Sequence, residues 1–111
     1  MDIDTLQLLE DFVDYLMPEL TPHETSMYIF LLRKSFLNDG SPEIRIGQRT
    51  IAQQYRSGPK MSVPSRAHVT RQLSALEEKG CITIGDTDRF GTLYIVRLPS
   101  QIPLVSEKLS S

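Results

Sequence analysis

The hydrophobic period of this chain changes sharply at Gly80. Before it, Val69, Leu73 and Leu76 recur at helical spacing. After it, Cys81-Ile82-Thr83-Ile84 and then Thr92 to Leu98 are rich in strand-forming residues. The pattern predicts a helix, capped by Ser62 or Ser65, that runs to about Lys79, stops at Gly80 and passes directly into a β-hairpin. Gly85 and Gly91 bound a polar segment between the strands, read as the hairpin loop, and Pro99 stops the second strand. Cys81, at the start of the first strand, is expected to be a small core residue, with redox sensing the minor alternative.

Upstream, Ile3, Leu6, Leu9, Val13 and Leu16 mark a helix over residues 3–17, with Leu8, Phe12 and Tyr15 widening its apolar stripe and Pro18 ending it. The stripe is wider than one packing surface needs, which predicts a second surface and a homodimer through this helix. Thr21-Pro22-His23-Glu24 has the residues of a capped helix start. The helix it opens continues through Tyr28, Leu31, Leu32 and Phe36 and stops at Asn38-Asp39-Gly40. Glu43 to Ile46 alternates as a strand fragment, and Gln48 to Tyr55 reads as a short helix. Residues 56–64 are rich in turn formers, and residues 100–111 read as a loose, flexible tail.

At 111 residues the chain has the length of one domain. A lone cysteine and two histidines, with no paired acidic motif beside them, argue against a disulfide framework, a paired-cysteine zinc site and a metalloenzyme. No nucleophile–base pair or glycine-rich phosphate loop is visible, so neither an enzyme nor a bound cofactor is expected. No apolar run reaches the roughly 18 residues that would cross a bilayer, and the acidic N-terminus is unlike a signal peptide. A cytoplasmic protein with no membrane partner is the expectation.

Net charge is only −2, but it is unevenly spread. Residues 1–24 hold seven acids and no Lys or Arg; residues 44–76 hold Arg45, Arg49, Arg56, Lys60, Arg66 and Arg71 and no acid. A surface built only for solubility mixes its signs, so the acid-free stretch points to an anionic partner.

The order helix, helix, strand, short helix, loop, helix, hairpin over residues 21–98 resembles a winged helix-turn-helix domain. The segment Leu73-Ser74-Ala75-Leu76-Glu77-Glu78-Lys79-Gly80-Cys81-Ile82 is similar to the end of the recognition helix and start of the wing in MarR-like transcription regulators. It is also similar to the winged domains of phage and plasmid replication initiators. Ile46 to Ala52 resembles the strand and first helix of the helix-turn-helix. The stretch 56–64 departs from the pattern, being longer than the usual three- or four-residue turn. The resemblance implies a mainly α fold with a small β-hairpin wing, preceded here by an extra N-terminal helix. In that division, residues 1–20 are the acidic, dimerising helix, residues 21–99 the winged domain and residues 100–111 the tail. It also implies sequence-specific double-stranded DNA binding, as in a transcription regulator, with residues 65–79 in the major groove and residues 85–91 near the minor groove. The rival expectation is a winged-helix module that binds protein in a replication complex or other assembly.

Periodicity turns Val69, Leu73 and Leu76 inward, docking on Leu31 and its neighbours, and leaves Ala67, His68, Arg71, Ser74, Ala75 and the acidic Glu78 outward, with Thr70 at the edge of that face. Ser65, Thr70 and Ser74 are small hydrogen-bonding groups suited to base edges or phosphate. Arg71 suits a guanine edge, or equally a phosphate. Arg66, Arg49 and Lys60 suit phosphate, and His68 is either a base contact or a solvated histidine. The wing role implied for Arg89 faces two nearby acids, Asp86 and Asp88, which are expected to hold Arg89 in a weak ion pair. Phe90 is expected to pack within the hairpin.

Overall fold

Helix starts in this protein are set by side chains that satisfy otherwise unpaired backbone N–H groups. The computed structural model describes residues 4–54 and 65–109. Asp4 caps α1 (Thr5–Asp11), its carboxylate accepting from the Gln7 N–H at 3.1 Å. The chain continues as a π-turn over Phe12–Leu16 and a 3-10 turn over Met17–Glu19, where Pro18 has no N–H to donate. Thr21 and Glu24 form the reciprocal capping box of α2 (Pro22–Lys34), with Pro22 at its first position. Ser65 caps α5 (Arg66–Glu78) through the His68 N–H.

The helix expected to run unbroken to Asn38 is interrupted. The Ser35 hydroxyl donates to the Leu31 carbonyl at 2.8 Å and its backbone leaves the helical region, so α3 (Phe36–Asp39) is a separate short turn. Gly40 closes it with φ 81°.

The sheet has three antiparallel strands in the order β1-β3-β2: β1 (Glu43–Ile46), β2 (Ile82–Asp88) and β3 (Gly91–Val96). The fragment at residues 43–46 therefore has a partner, Ile44 lying opposite Tyr94 and Ile46 opposite Thr92. The polar segment 85–91 is mostly strand: β2 extends to Asp88, its register shifts between Ile84 and Thr87, and only Arg89 and Phe90 make the turn. Gly91 is required where it stands. Its φ is 122°, and a Cβ would lie 2.5 Å from the Ile46 carbonyl carbon.

One core joins these elements. Val69, Leu73 and Leu76 of α5 are buried as predicted, with Met27, Tyr28, Leu31 and Leu32 of α2, and Ile51 of α4 (Gln48–Gln54). Tyr28 stacks on Phe12 at 5.7 Å and donates to the Arg97 carbonyl at 2.6 Å. Cys81 is fully buried, and that burial pushes its thiol up to about 12, out of reach of ordinary thiolate chemistry.

The loose tail predicted over residues 100–111 is corrected through Leu109. Pro99–Gln101 form a 3-10 turn and α6 (Pro103–Leu109) follows; Ile102 and Val105 are completely buried. Lys108 clamps the segment to the N-terminal region, donating to the Glu19 carboxylate at 2.7 Å and the Tyr15 carbonyl at 3.1 Å. Leu8, Phe12 and Leu16 share the same core, so the N-terminal helix is built into the fold rather than appended to it. The architecture is mainly helical with a small three-stranded antiparallel sheet.

Candidate nucleic-acid interface

The basic residues come together where the first turns of α4 and α5 meet the β2–β3 turn. Gln48 opens α4 two residues after strand β1 ends at Ile46. Its side-chain oxygen accepts from Arg66 Nε at 3.3 Å and from the Thr70 hydroxyl at 3.2 Å. One amide thus ties the start of α4 to the first turn of α5. Beside it lies an open groove of about 470 Å³ whose lining includes Arg49, Thr50, Arg66, Arg89 and Phe90 and one acid, Asp88. Arg49, Arg66 and Arg89 are all exposed.

Further along α5, Arg71 and Ser74 are exposed but do not line the groove; Thr70 reaches it through Gln48. Ser65 remains exposed while its hydroxyl caps the helix. His68 is half-buried, its ring edge-to-face with His23 of α2 at 5.0 Å, so it is neither simply solvated nor wholly available. Lys60 and Arg56 lie outside the described residues.

The hairpin corrects two expectations. Asp86 and Asp88 pair with Arg45, at 3.4 and 3.3 Å, rather than with Arg89. Arg45 also donates to the Gly91 carbonyl at 3.1 Å, so this residue braces the hairpin instead of extending the row of groove arginines. The cause is strand geometry: β1 and β2 flank β3, and Arg45 reaches across Leu93 to the acids. Phe90, expected to pack within the hairpin, is 68% exposed at the turn, with the Arg89 guanidinium 4.9 Å from its ring centre.

Arg45, counted in the sequence only as part of the acid-free basic stretch, and Gln48, not singled out there, are the organising residues. Arg45 carried a signal in its alternation with Ile44 and Ile46. Gln48 carried none, because its role depends on which side chains α5 brings to it.

The other end of the charge split is also visible. Glu24 is 7% exposed and receives Lys79 Nζ at 2.6 Å. Burial works to raise its pKa, but the Lys79 and Thr21 hydrogen bonds and the lysine charge prevail and hold it below the ordinary glutamate value. Across the N-terminal segment, Leu6, Leu9, Val13 and Met17 are exposed at 75, 47, 47 and 40%, forming an uncovered apolar stripe beside Glu10 and Asp14.

Among the described residues, no group of three or more His, Cys, Asp or Glu side chains is placed to hold a metal ion, and no helix is long and apolar enough to cross a membrane. No family model, curated protein or solved structure matches the chain.

Proposed function

We propose that the protein binds double-stranded DNA sequence-specifically, as a cytoplasmic transcription regulator of winged helix-turn-helix type. In this reading α5 enters the major groove and the β2–β3 turn approaches the neighbouring minor groove. The observation that carries it is the gathering of Arg49, Arg66 and Arg89, from three elements distant in sequence, around one open groove. Three guanidiniums on separate elements suit a periodic polyanion, because each can meet a different phosphate. Arg45 supports the same reading by neutralising Asp86 and Asp88, which would otherwise repel phosphate at the hairpin. This reading assigns base contacts to Arg71 and Ser74, which are exposed and outside the groove.

The exposed stripe Leu6, Leu9, Val13 and Met17 supports a second copy of the chain as the other partner. A two-fold pair would present two α5 helices to successive turns of a duplex. The same stripe is what favours the rival reading, a protein-binding module in a larger assembly.

Duplex binding across a salt series tests the proposal. Each phosphate neutralised contributes about −0.9 to the slope of log affinity against log salt. Contacts from Arg49, Arg66 and Arg89 give a slope of about −3 or steeper; a slope near zero rejects DNA as the partner and leaves the protein-binding reading.

A further inference from the structure

The hairpin turn carries an aromatic ring that the fold does not use. Phe12, Tyr28, Phe36 and Tyr94 are buried, and Tyr15 and Phe30 pack against the core. Phe90 alone among the described aromatic side chains stands out from it, at 68% exposure. At that exposure the ring adds little to the core and is open to a ligand.

The turn is also firmly held. The Phe90 N–H donates to the Asp88 carboxylate at 2.8 Å, and the Thr87 and Thr92 hydroxyls join the two strands at 2.8 Å. Arg45 ties Asp86, Asp88 and the Gly91 carbonyl together behind it. The ring is thus presented by a braced hairpin, with one guanidinium over it and two more, from Arg49 and Arg66, on the same groove.

Cations that share a groove with an exposed flat ring match a ligand made of anions and flat apolar faces. In a continuous duplex each base face is already covered by its neighbour. We propose that Phe90, backed by Arg89, stacks on an unpaired nucleobase, so that the protein prefers DNA with an unpaired base over continuous duplex. The inference rests on the DNA-binding reading and adds a structural preference that this reading does not require. The stacking is indifferent to base identity, because every base has a π face.

The test measures the affinity of the full chain for a short duplex and for the same duplex carrying a one-nucleotide bulge. The unmodified protein is expected to favour the bulged form about ten-fold, the scale of one base–aromatic stack. Phe90→Ala reduces that ratio to near unity without changing the salt slope, since no charge is removed; Phe90→Trp retains it. Arg89→Ala weakens both forms and makes the slope shallower by about 0.9. Equal affinity of the unmodified protein for the two forms overturns the inference, as does a preference that survives Phe90→Ala. In either case salt-dependent duplex binding leaves the DNA-binding reading standing. Failure to bind either form overturns both, and would make Phe90 a contact for another protein. Circular dichroism checks the variants, whose side chain lies outside the core.

Discussion

Two helical segments of this protein divide their surfaces differently. Helix α5 has one apolar face, Val69, Leu73 and Leu76, all of it buried, and its outer face carries Arg66, Thr70, Arg71 and Ser74. The N-terminal segment has two apolar faces: Leu8, Phe12 and Leu16 are buried, while Leu6, Leu9, Val13 and Met17 are not. The contrast in charge runs the same way, with no acid in residues 44–76 and no base in residues 1–24. A helix with a single apolar stripe spends it on its own core, and its outer face is left to polar partners. A helix with two stripes has one left for another apolar surface. In the proposed function, the two segments therefore meet chemically opposite partners, DNA on one side and a second copy of the chain on the other.

Removing the apolar face of α5 is the severest way to break this division. Leu73→Ala is expected to cost about 2–5 kcal/mol, seen as a lower denaturation midpoint, because Leu73 is 1% exposed within the central cluster. An unchanged midpoint would mean that the helix is not docked through this face.

The outer face of α5 is sharpened by Arg71→Ala. If Arg71 reads a base, specific sites lose about 1–3 kcal/mol while nonspecific DNA is little affected. An equal loss on all sequences makes it a phosphate contact.

Lys79 links the end of α5 to the acidic side of the molecule. Lys79→Met leaves Glu24 buried without its cation and is expected to cost about 1–3 kcal/mol at neutral pH. The pH dependence has a definite sign. The pKa of Glu24 is lowered in the folded state, so the stabilisation is fully present above the unfolded value and is lost as pH falls through the folded one. Acid titration of stability should therefore show a shallower decline in Lys79→Met than in the parent.

The smallest change in folding stability is expected on the uncovered stripe. Val13→Asp should alter monomer stability by no more than about 0.5 kcal/mol, as at other surface positions, yet abolish the dimer. Sedimentation equilibrium of parent and variant measures it; a monomeric parent rejects the second copy as partner, and a dimeric variant moves the interface elsewhere.

Several elements were legible because their causes are local. Thr21 and Glu24 lie within hydrogen-bond reach along the chain, as do Ser65 and His68, so the starts of α2 and α5 could be read from spacing. The stops at Gly40 and Gly80 follow from backbone freedom at φ 81° in each. The inward face of α5 follows from its period. Among the site residues, the exposure of Arg71 and Ser74 was likewise readable as the polar side of that pattern.

What remained hidden depended on contacts between distant parts of the chain. The break at Ser35 turns on whether its hydroxyl bonds the Leu31 carbonyl, an option that does not compel the helix to end. Ile102 and Val105 are too few to declare a core helix alone; burial against the segment that holds Phe12 and Leu16 makes them one. The acids at 86 and 88 are nearer in sequence to Arg89, yet the sheet order brings Arg45 to them. Sequence by itself determined the starts of α2 and α5, the stops at Gly40 and Gly80, the inward face of α5 and the separation of charge, because these arise from interactions over a few residues. Only the tertiary structure decided which arginine braces the hairpin, which three share a groove and that Phe90 is left in water, because each outcome is a choice among partners that chain distance does not rank.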